Sequence, residues 1–283
     1  MSMPIVNIVI PTYNAGVQWK LVLEGLAKQS YPIEKKILID TSSGDNTIAL
    51  AEEYGFEITK ISKQEFNHGL TRNLGLNLTT KQCDLVLFMT QDAILNDHDA
   101  IKKIVKAIDS NNNIAMAYGR QIPRENATKI EKFVRSYNYP ANSKLKTFSD
   151  SETLGIKTAF CSNSFALYCK DKFLEMGGFR GTNFGEDMLL AADFLMKGWG
   201  VYYCAEAEVV HSHNNSLSEE FKRNLHIGKM HKENSWLINK FGKPQSEGKK
   251  LLAKAFNELS WWEFYKFLIY CTVRYCGYKL GNK

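Results

Sequence analysis

The stretch Ile5-Val6-Asn7-Ile8-Val9-Ile10, followed at once by Pro11-Thr12-Tyr13-Asn14, decides the fold. A short run of β-branched residues predicts a buried strand, and the polar turn led by proline predicts where it stops. The same pattern recurs downstream. Lys36–Asp40, Phe56–Ile61, Leu85–Met89 and Ile114–Gly119 read as further strands. Between them Val17–Lys28, Asn46–Tyr54, Leu70–Thr79 and Asp99–Asp109 carry apolar residues at three- and four-residue spacing, with Leu21, Leu23, Leu26 and Ala27 as an example, and read as helices. Strands apolar on both faces that alternate with helices imply an α/β fold, a mostly parallel sheet with helices on both faces. Functional groups in such sheets gather at the carboxyl ends of the strands.

Four strand ends carry polar clusters: Pro11 to Asn14, Asp40 to Thr47, Phe66 to Asn73, and Thr90-Gln91-Asp92-Ala93. Any one of them is what a turn with a helix cap requires. Four in succession along one edge point to a pocket. The second half is less regular. Glu125–Leu154 reads as a loop with a short helix near Lys129–Arg135, and Thr158–Cys169 as a strand pair or one bent strand. Gly185-Glu186-Asp187 precedes an apolar helix at Met188–Met196, and Val201–Cys204 and Val209–His211 read as two short strands. From Leu217 onward the pattern is helical, with a break at Gly242-Lys243-Pro244.

The chain has 283 residues, 44% apolar and 23% charged, with 19 Gly and 6 Pro, which excludes disordered and collagen-like classes. No apolar run reaches the ~18 residues of a membrane span. MSMPIVNIVIPTYN has no basic leader region, so no secretory signal is expected. The six cysteines lack C-x-x-C spacing and lie in apolar stretches, which predicts buried free thiols rather than zinc. The net charge of +6 is uneven: residues 219–283 hold 13 Lys+Arg against 6 Asp+Glu, and the first 218 residues hold 23 against 24. This basic tail is mixed with Trp236, Trp261, Trp262, Phe264 and Tyr265. That mixture suits an anionic membrane surface better than a nucleic-acid groove. A core-packed helix with a solvated lysine face, or a contact between copies of the chain, would use the same residues.

The polar clusters have a common chemistry. Asp92, a carboxylate on a strand-end turn, can hold a hard divalent cation whose other ligands are phosphate oxygens. Arg72 and His68 suit a diphosphate, the arginine through its planar fork. Asp40 can accept the N3 hydrogen of a pyrimidine, with Thr12 and Tyr13 flanking the base. Asp187 reads either as a helix N-terminal charge or as a general base for an acceptor hydroxyl. His211 and His213, one residue apart at a strand end, are expected to point to opposite sides, one reaching the metal and the other packing. The chain has neither a Gly-x-x-x-x-Gly-Lys-Ser/Thr loop nor a Gly-x-Gly-x-x-Gly, which argues against ATPase and dinucleotide-redox functions.

Ile8 to Asn14, Ile39 to Thr47 and Gly185-Glu186-Asp187 resemble glycosyltransferase family 2. Phe66 to Asn73, Thr90 to Ala93 and His211 to Ser216 resemble, more narrowly, its bacterial rhamnosyltransferase branch. The resemblance implies a GT-A (Rossmann-like) fold, a divalent cation (Mg2+ or Mn2+) and inverting transfer from dTDP-L-rhamnose in cell-surface polysaccharide synthesis. It implies donor-binding roles for Pro11, Thr12, Tyr13, Asn14, Asp40, His68, Arg72, Gln91 and Asp92. It also implies metal ligation by Asp92 and His211, and a catalytic base at Asp187; Glu186 and Asn163 are assigned to the acceptor side. Thr90 stands where the usual Asp-x-Asp metal motif has its first aspartate. Residues 1–216 are then expected to form the glycosyltransferase domain, with a nucleotide-sugar half over about 1–120 and an acceptor half over about 121–216. Residues 217–283 form a helical extension. The partners expected are a dTDP- or UDP-sugar and a glycan or lipid-linked acceptor, with no nucleic acid, for a cytoplasmic protein peripheral to the inner membrane face. The rival readings are a UDP-hexose donor, a non-catalytic nucleotide-sugar-binding subunit, and a nucleotidyltransferase. The last lacks its Gly-rich basic loop at Pro11-Thr12-Tyr13-Asn14-Ala15-Gly16.

Overall fold

A computed structural model describes residues 3–283; Met1 and Ser2, the start of the stretch read for a leader, lie outside the described residues. Nine strands form one sheet: β1 Val6–Thr12, β2 Lys35–Asp40, β3 Glu57–Lys60, β4 Leu85–Met89, β5 Ile94–Leu95, β6 Ile114–Ile122, β7 Lys144–Lys146, β8 Phe165–Cys169 and β9 Gly200–Val210. Their order is β3-β2-β1-β4-β8-β6-β9-β5, with β7 also on β9. The first four strands pair in parallel, as expected of this half. Beyond β4 the sheet is mixed: β8 lies antiparallel between β4 and β6, β6 and β9 are parallel, and β5 and β7 run antiparallel to β9.

Alternation along the strands divides the core. Val6, Ile8 and Ile10 of β1 with Leu85, Leu87 and Met89 of β4 face α1 (Trp19–Ala27), α2 (Thr47–Glu53) and α4 (Ala100–Asp109). Val9, Val86 and Phe88 face the opposite way, toward α3 (His68–Asn77), α7 (Lys170–Glu175) and α8 (Glu186–Met196). Each fully buried side chain of this kind contributes roughly 1.5–3 kcal/mol.

The second half corrects three expectations. Thr158–Cys169 is not a strand pair: a 3-10 turn at Gly155–Ala159 leads into an irregular segment, and only Phe165–Cys169 is strand. The side chains of Ser162 and Asn163 bond to Gln121 and Glu186, so this segment is fastened by side chains where a ladder was expected. The two short strands expected at 201–204 and 209–211 are one, β9. Its register to β6 jumps from Cys204 to Glu208 as β6 advances one residue, and this irregularity hides the strand's continuity in the sequence. The segment 125–154 holds α5 (Lys129–Asn138), β7 and α6 (Ser151–Leu154), more structure than a loop with one short helix. All six cysteines are free, but Cys276 is exposed rather than buried.

The chain closes with α9 (Leu217–Glu233), α10 (Ser235–Phe241), α11 (Gln245–Glu258) and α12 (Trp261–Gly281). The expected break falls between α10 and α11, where Gly242 has φ 90°. Phe133 and Val134 of α5 share a small core with Ala255 and Phe267. Among the described residues no helix is long and apolar enough to cross a membrane.

The helices α9 and α12 meet backbone to backbone. A Cβ at Gly277 would lie 2.4 Å from the carbonyl oxygen of Phe221, and one at Gly281 would lie 2.0 Å from that of Leu225. Gly248 in α11, by contrast, has nothing within 4 Å of such an atom. Two Gly→Ala changes inside helices should therefore have opposite signs. Gly248→Ala should stabilise by about 0.5–1 kcal/mol through helix propensity. Gly277→Ala should destabilise by about 1–3 kcal/mol through overpacking. Thermal melts of the two variants beside the parent check this.

Candidate active site

The carboxyl ends of β1, β2 and β4 meet at one edge. Register places Thr12 beside Asp40, and the Thr12 hydroxyl donates to Asp40 Oδ2 at 2.9 Å. Ser43 donates to the same carboxylate through its hydroxyl at 2.6 Å and its backbone N–H at 2.8 Å. Asp40 is 0% exposed, so a base can reach it only if the Ser43 loop yields. That loop is tied to the turn after β1, with Asn14 N–H donating to Ser43 Oγ and Gly44 N–H to Asn14 Oδ1, both at 2.8 Å. Asn14 and Ser42 both adopt positive φ. Gln91 fastens β1 to β4: it accepts from Tyr13 N–H at 2.8 Å and donates to Tyr13 O at 3.1 Å. The Tyr13 ring is exposed, with Lys63 Nζ 4.7 Å from its centroid. Pro11 is the last residue before Thr12 in β1.

Asp92 meets both histidines. β5 pairs with β9 so that Ile94 opposes Val210. The same register carried two residues further puts Asp92 opposite Ser212, between His211 and His213. His211 Nε2 lies 3.4 Å from Asp92 Oδ1, His213 Nε2 lies 3.3 Å from Asp92 Oδ2, and the two nitrogens are 3.2 Å apart. The expectation of opposed rings fails because β9 ends at Val210 and strand alternation does not continue through 211–213. His213 therefore joins the set that the sequence reading limited to Asp92 and His211. Burial and the His211 charge lower the His213 pKa. Burial alone would raise Asp92, but hydrogen bonding and charge from His211, with His213, hold it well below the usual carboxylate range.

Sequence reasoning missed the support behind His211. Gln121, on β6, donates through Nε2 to Ser162 Oγ at 2.8 Å and turns its Oε1 toward His211 Nδ1 at 3.0 Å. That atom also accepts from Arg135 of α5. An oxygen there requires the hydrogen on Nδ1, which leaves Nε2 as the atom facing Asp92 and His213, to donate to the carboxylate or, with a cation in place, to ligate it. The only cue in the sequence is a polar residue near the end of an apolar strand. A cation among the three would take one lone pair from each. Bonds of about 2.1 Å place adjacent ligand atoms roughly 3.0–3.4 Å apart around an octahedral or tetrahedral ion, and the observed spacings fit.

The Gly185-Glu186-Asp187 turn forms the N-terminus of α8, with Gly185 at φ 76°. Glu186 is buried and pairs with Arg72 Nη1 at 3.1 Å, the two side chains being 7% and 6% exposed. Arg72 also donates to the His68 carbonyl at 2.9 Å. Burial, against the raising effect of Glu186, lowers the His68 pKa. Asn163 joins the pair to Asp187, donating through Nδ2 to Glu186 Oε1 at 3.0 Å and through its backbone N–H to Asp187 Oδ2 at 3.2 Å. Burial and the neighbouring Glu186 charge push Asp187 up to about 7. Ser162 supports the Asp92–His211–His213 cluster through Gln121 and Asn163 supports the carboxylates, so adjacent residues link the two clusters.

The polar edge of β1, β2 and β4, the Asp92–His211–His213 cluster and the raised Asp187 carboxyl are what a glycosyltransferase of GT-A type requires, and the comparisons agree. Residues 7–177 match the family described as glycosyl transferase family 2, and the chain belongs to that family. It is 40% identical to the O-antigen chain rhamnosyltransferase RfbN of Salmonella typhimurium, over 98% of this chain and 89% of that protein. It is 37% identical to the O-antigen chain rhamnosyltransferase WbaN of Salmonella anatum, over 99% and 90%. Among solved structures, the fold resembles a mannosyltransferase from Pyrobaculum calidifontis in complex with GDP-Man and Mn2+. That match has a TM-score of 0.71 at 14% identity, over 99% of this chain and 87% of that one.

A carboxyl raised to about 7 keeps a proton in the folded protein that the unfolded chain releases near the ordinary value of 3.8. The folded state then binds more protons across that interval, and its stability falls as pH rises through it. Asp187→Asn removes this effect. Its melting temperature should gain on that of the parent between about pH 4 and 7 and hold the gain above; parallel curves across this range would show that Asp187 does not titrate so.

Proposed function

We propose that the chain is an inverting, cation-dependent rhamnosyltransferase that moves L-rhamnose from dTDP-L-rhamnose to a glycan or lipid-linked acceptor of a surface polysaccharide. The observation that carries the reading is the link through Ser162 and Asn163 between the Asp92–His211–His213 triad and Asp187. The similarity to two O-antigen rhamnosyltransferases along nearly the whole chain supports the sugar.

In this reading the acceptor oxygen attacks the anomeric carbon as its bond to the diphosphate breaks, and Asp187 takes the hydroxyl proton. A carboxylate titrating near pH 7 suits that task. Asp92, His211 and His213 would hold the cation, which would supply positive charge against the departing diphosphate. Two imidazole nitrogens beside one carboxylate favour a transition ion such as Mn2+ over Mg2+, which prefers oxygen ligands. Thr12, Tyr13 and Asn14 shape the nucleoside loop above Asp40. Arg72 and Glu186 are committed to each other, so their part is to position Asp187.

Transfer assays with a panel of dTDP- and UDP-sugars test this. Activity should be highest with dTDP-rhamnose, fall on chelation, and return more fully with Mn2+ than with Mg2+. Preference for a UDP-hexose would overturn the donor, and no turnover with any donor would make the chain a binding subunit. Asp187→Asn should lower kcat by about 10²–10⁴-fold. Parent kcat should rise with pH through about 7, because the protonated carboxyl cannot accept.

The exposed Trp261, Tyr265, Leu268 and Tyr275 of α12, with Phe256 of α11, form an apolar surface within the basic tail. We assign it to the cytosolic leaflet, beside a lipid-linked acceptor. Co-sedimentation with phosphatidylglycerol vesicles but not with phosphatidylcholine vesicles, lost on Trp261→Ala with Tyr265→Ala, is the expected result.

A further inference from the structure

A groove of ≈ 570 Å³ runs between α5, the 213–217 segment and α12, with His213 in its lining. Its size falls within the roughly 300–1,000 Å³ of small-ligand sites. Trp262 and Tyr270 supply aromatic faces, and Asn214, Asn215 and Glu131 supply amide and carboxylate groups. Trp262 is 63% exposed, whereas Tyr270 Oη and Asn215 Nδ2 are held by buried Glu220, at 3.3 and 2.9 Å. Of the two lysines in the lining, Lys129 is paired with Glu263. Glu131 and Glu220 are paired with Arg135 and Arg274, so the charges around the groove are largely matched and Lys266 alone is open to an anion. Aromatic faces beside amides and carboxylates match a neutral, polyhydroxylated ligand: ring C–H faces lie on the aromatics and hydroxyls bond to the polar groups.

We infer that this groove binds the acceptor glycan, seating the sugar units behind the one that reacts. This rests on the proposed function, since His213 belongs both to the groove and to the triad beside Asp92 and so puts one end of the ligand at the transfer site. The enzyme then reads the acceptor for more than its terminal sugar.

The probes are lipid-free oligosaccharides released by mild acid from the source organism's surface polysaccharide and sized into mono- and trisaccharides. The full-length parent should show a lower KM for the trisaccharide, Trp262→Ala should reduce that advantage about tenfold, and Trp262→Phe, which keeps a ring face, should restore most of it. An advantage unchanged in Trp262→Ala would overturn the inference. Binding is also read without any donor, by tryptophan fluorescence. Trisaccharide should quench the Trp261→Ala protein and not the protein that also carries Trp262→Ala, and quenching of Trp261→Ala by phospholipid vesicles that Trp262→Ala abolishes would assign the groove to lipid and overturn the inference. Because this titration needs no turnover, it judges the groove even where the donor panel rejects rhamnose transfer.

Discussion

The site depends on one buried ion pair. Arg72, on the first turns of α3, and Glu186, at the start of α8, lie far apart in the chain and meet at 3.1 Å with almost no exposure. Removing two charges from water is costly, and such a pair is weak evidence for stability. Here it fixes position. Glu186 cannot move without stranding Arg72, and Asn163 extends the constraint to Asp187. The same Glu186 charge helps to raise the pKa of Asp187. One interaction thus both places the carboxylate and tunes it.

The Asp92–His211–His213 cluster is placed by the ladder between β5 and β9. β5 is two residues long, yet it sets which residues of the 211–213 segment face Asp92. Gln121 then fixes the tautomer of His211 from behind. Ser162 and Asn163 precede β8, the antiparallel strand wedged between the halves of the sheet, and brace the triad and the carboxylates respectively. The mixed half of the sheet therefore does more than extend the parallel one, because it aligns the two clusters.

The parallel half was legible because each strand there is a short apolar run bounded by polar turns, and Leu85–Met89 was read to the residue. Asp40, Asp92 and Asp187 stood out as carboxylates at strand or helix ends. What escaped detection depends on distant pairing. A two-residue strand leaves no periodic signal, so the convergence of His213 could not be seen. Arg72 looked like a diphosphate ligand because its partner Glu186 is more than a hundred residues away. Gln121 and Ser162 are ordinary polar residues until the fold brings them together. The basic aromatic tail carried two messages at once: Phe267 is fully buried, while Trp261 is open to solvent.

The glycine contact between α9 and α12 separates two jobs along one helix. Because Gly277 and Gly281 press on the backbone of α9 and Phe267 is buried against α5, the placement of α12 owes little to its exposed side chains such as Trp262 and Lys266. Those positions are free to drift in evolution while the frame stays put. A lineage can thus diversify what this wall greets without relearning how to build it.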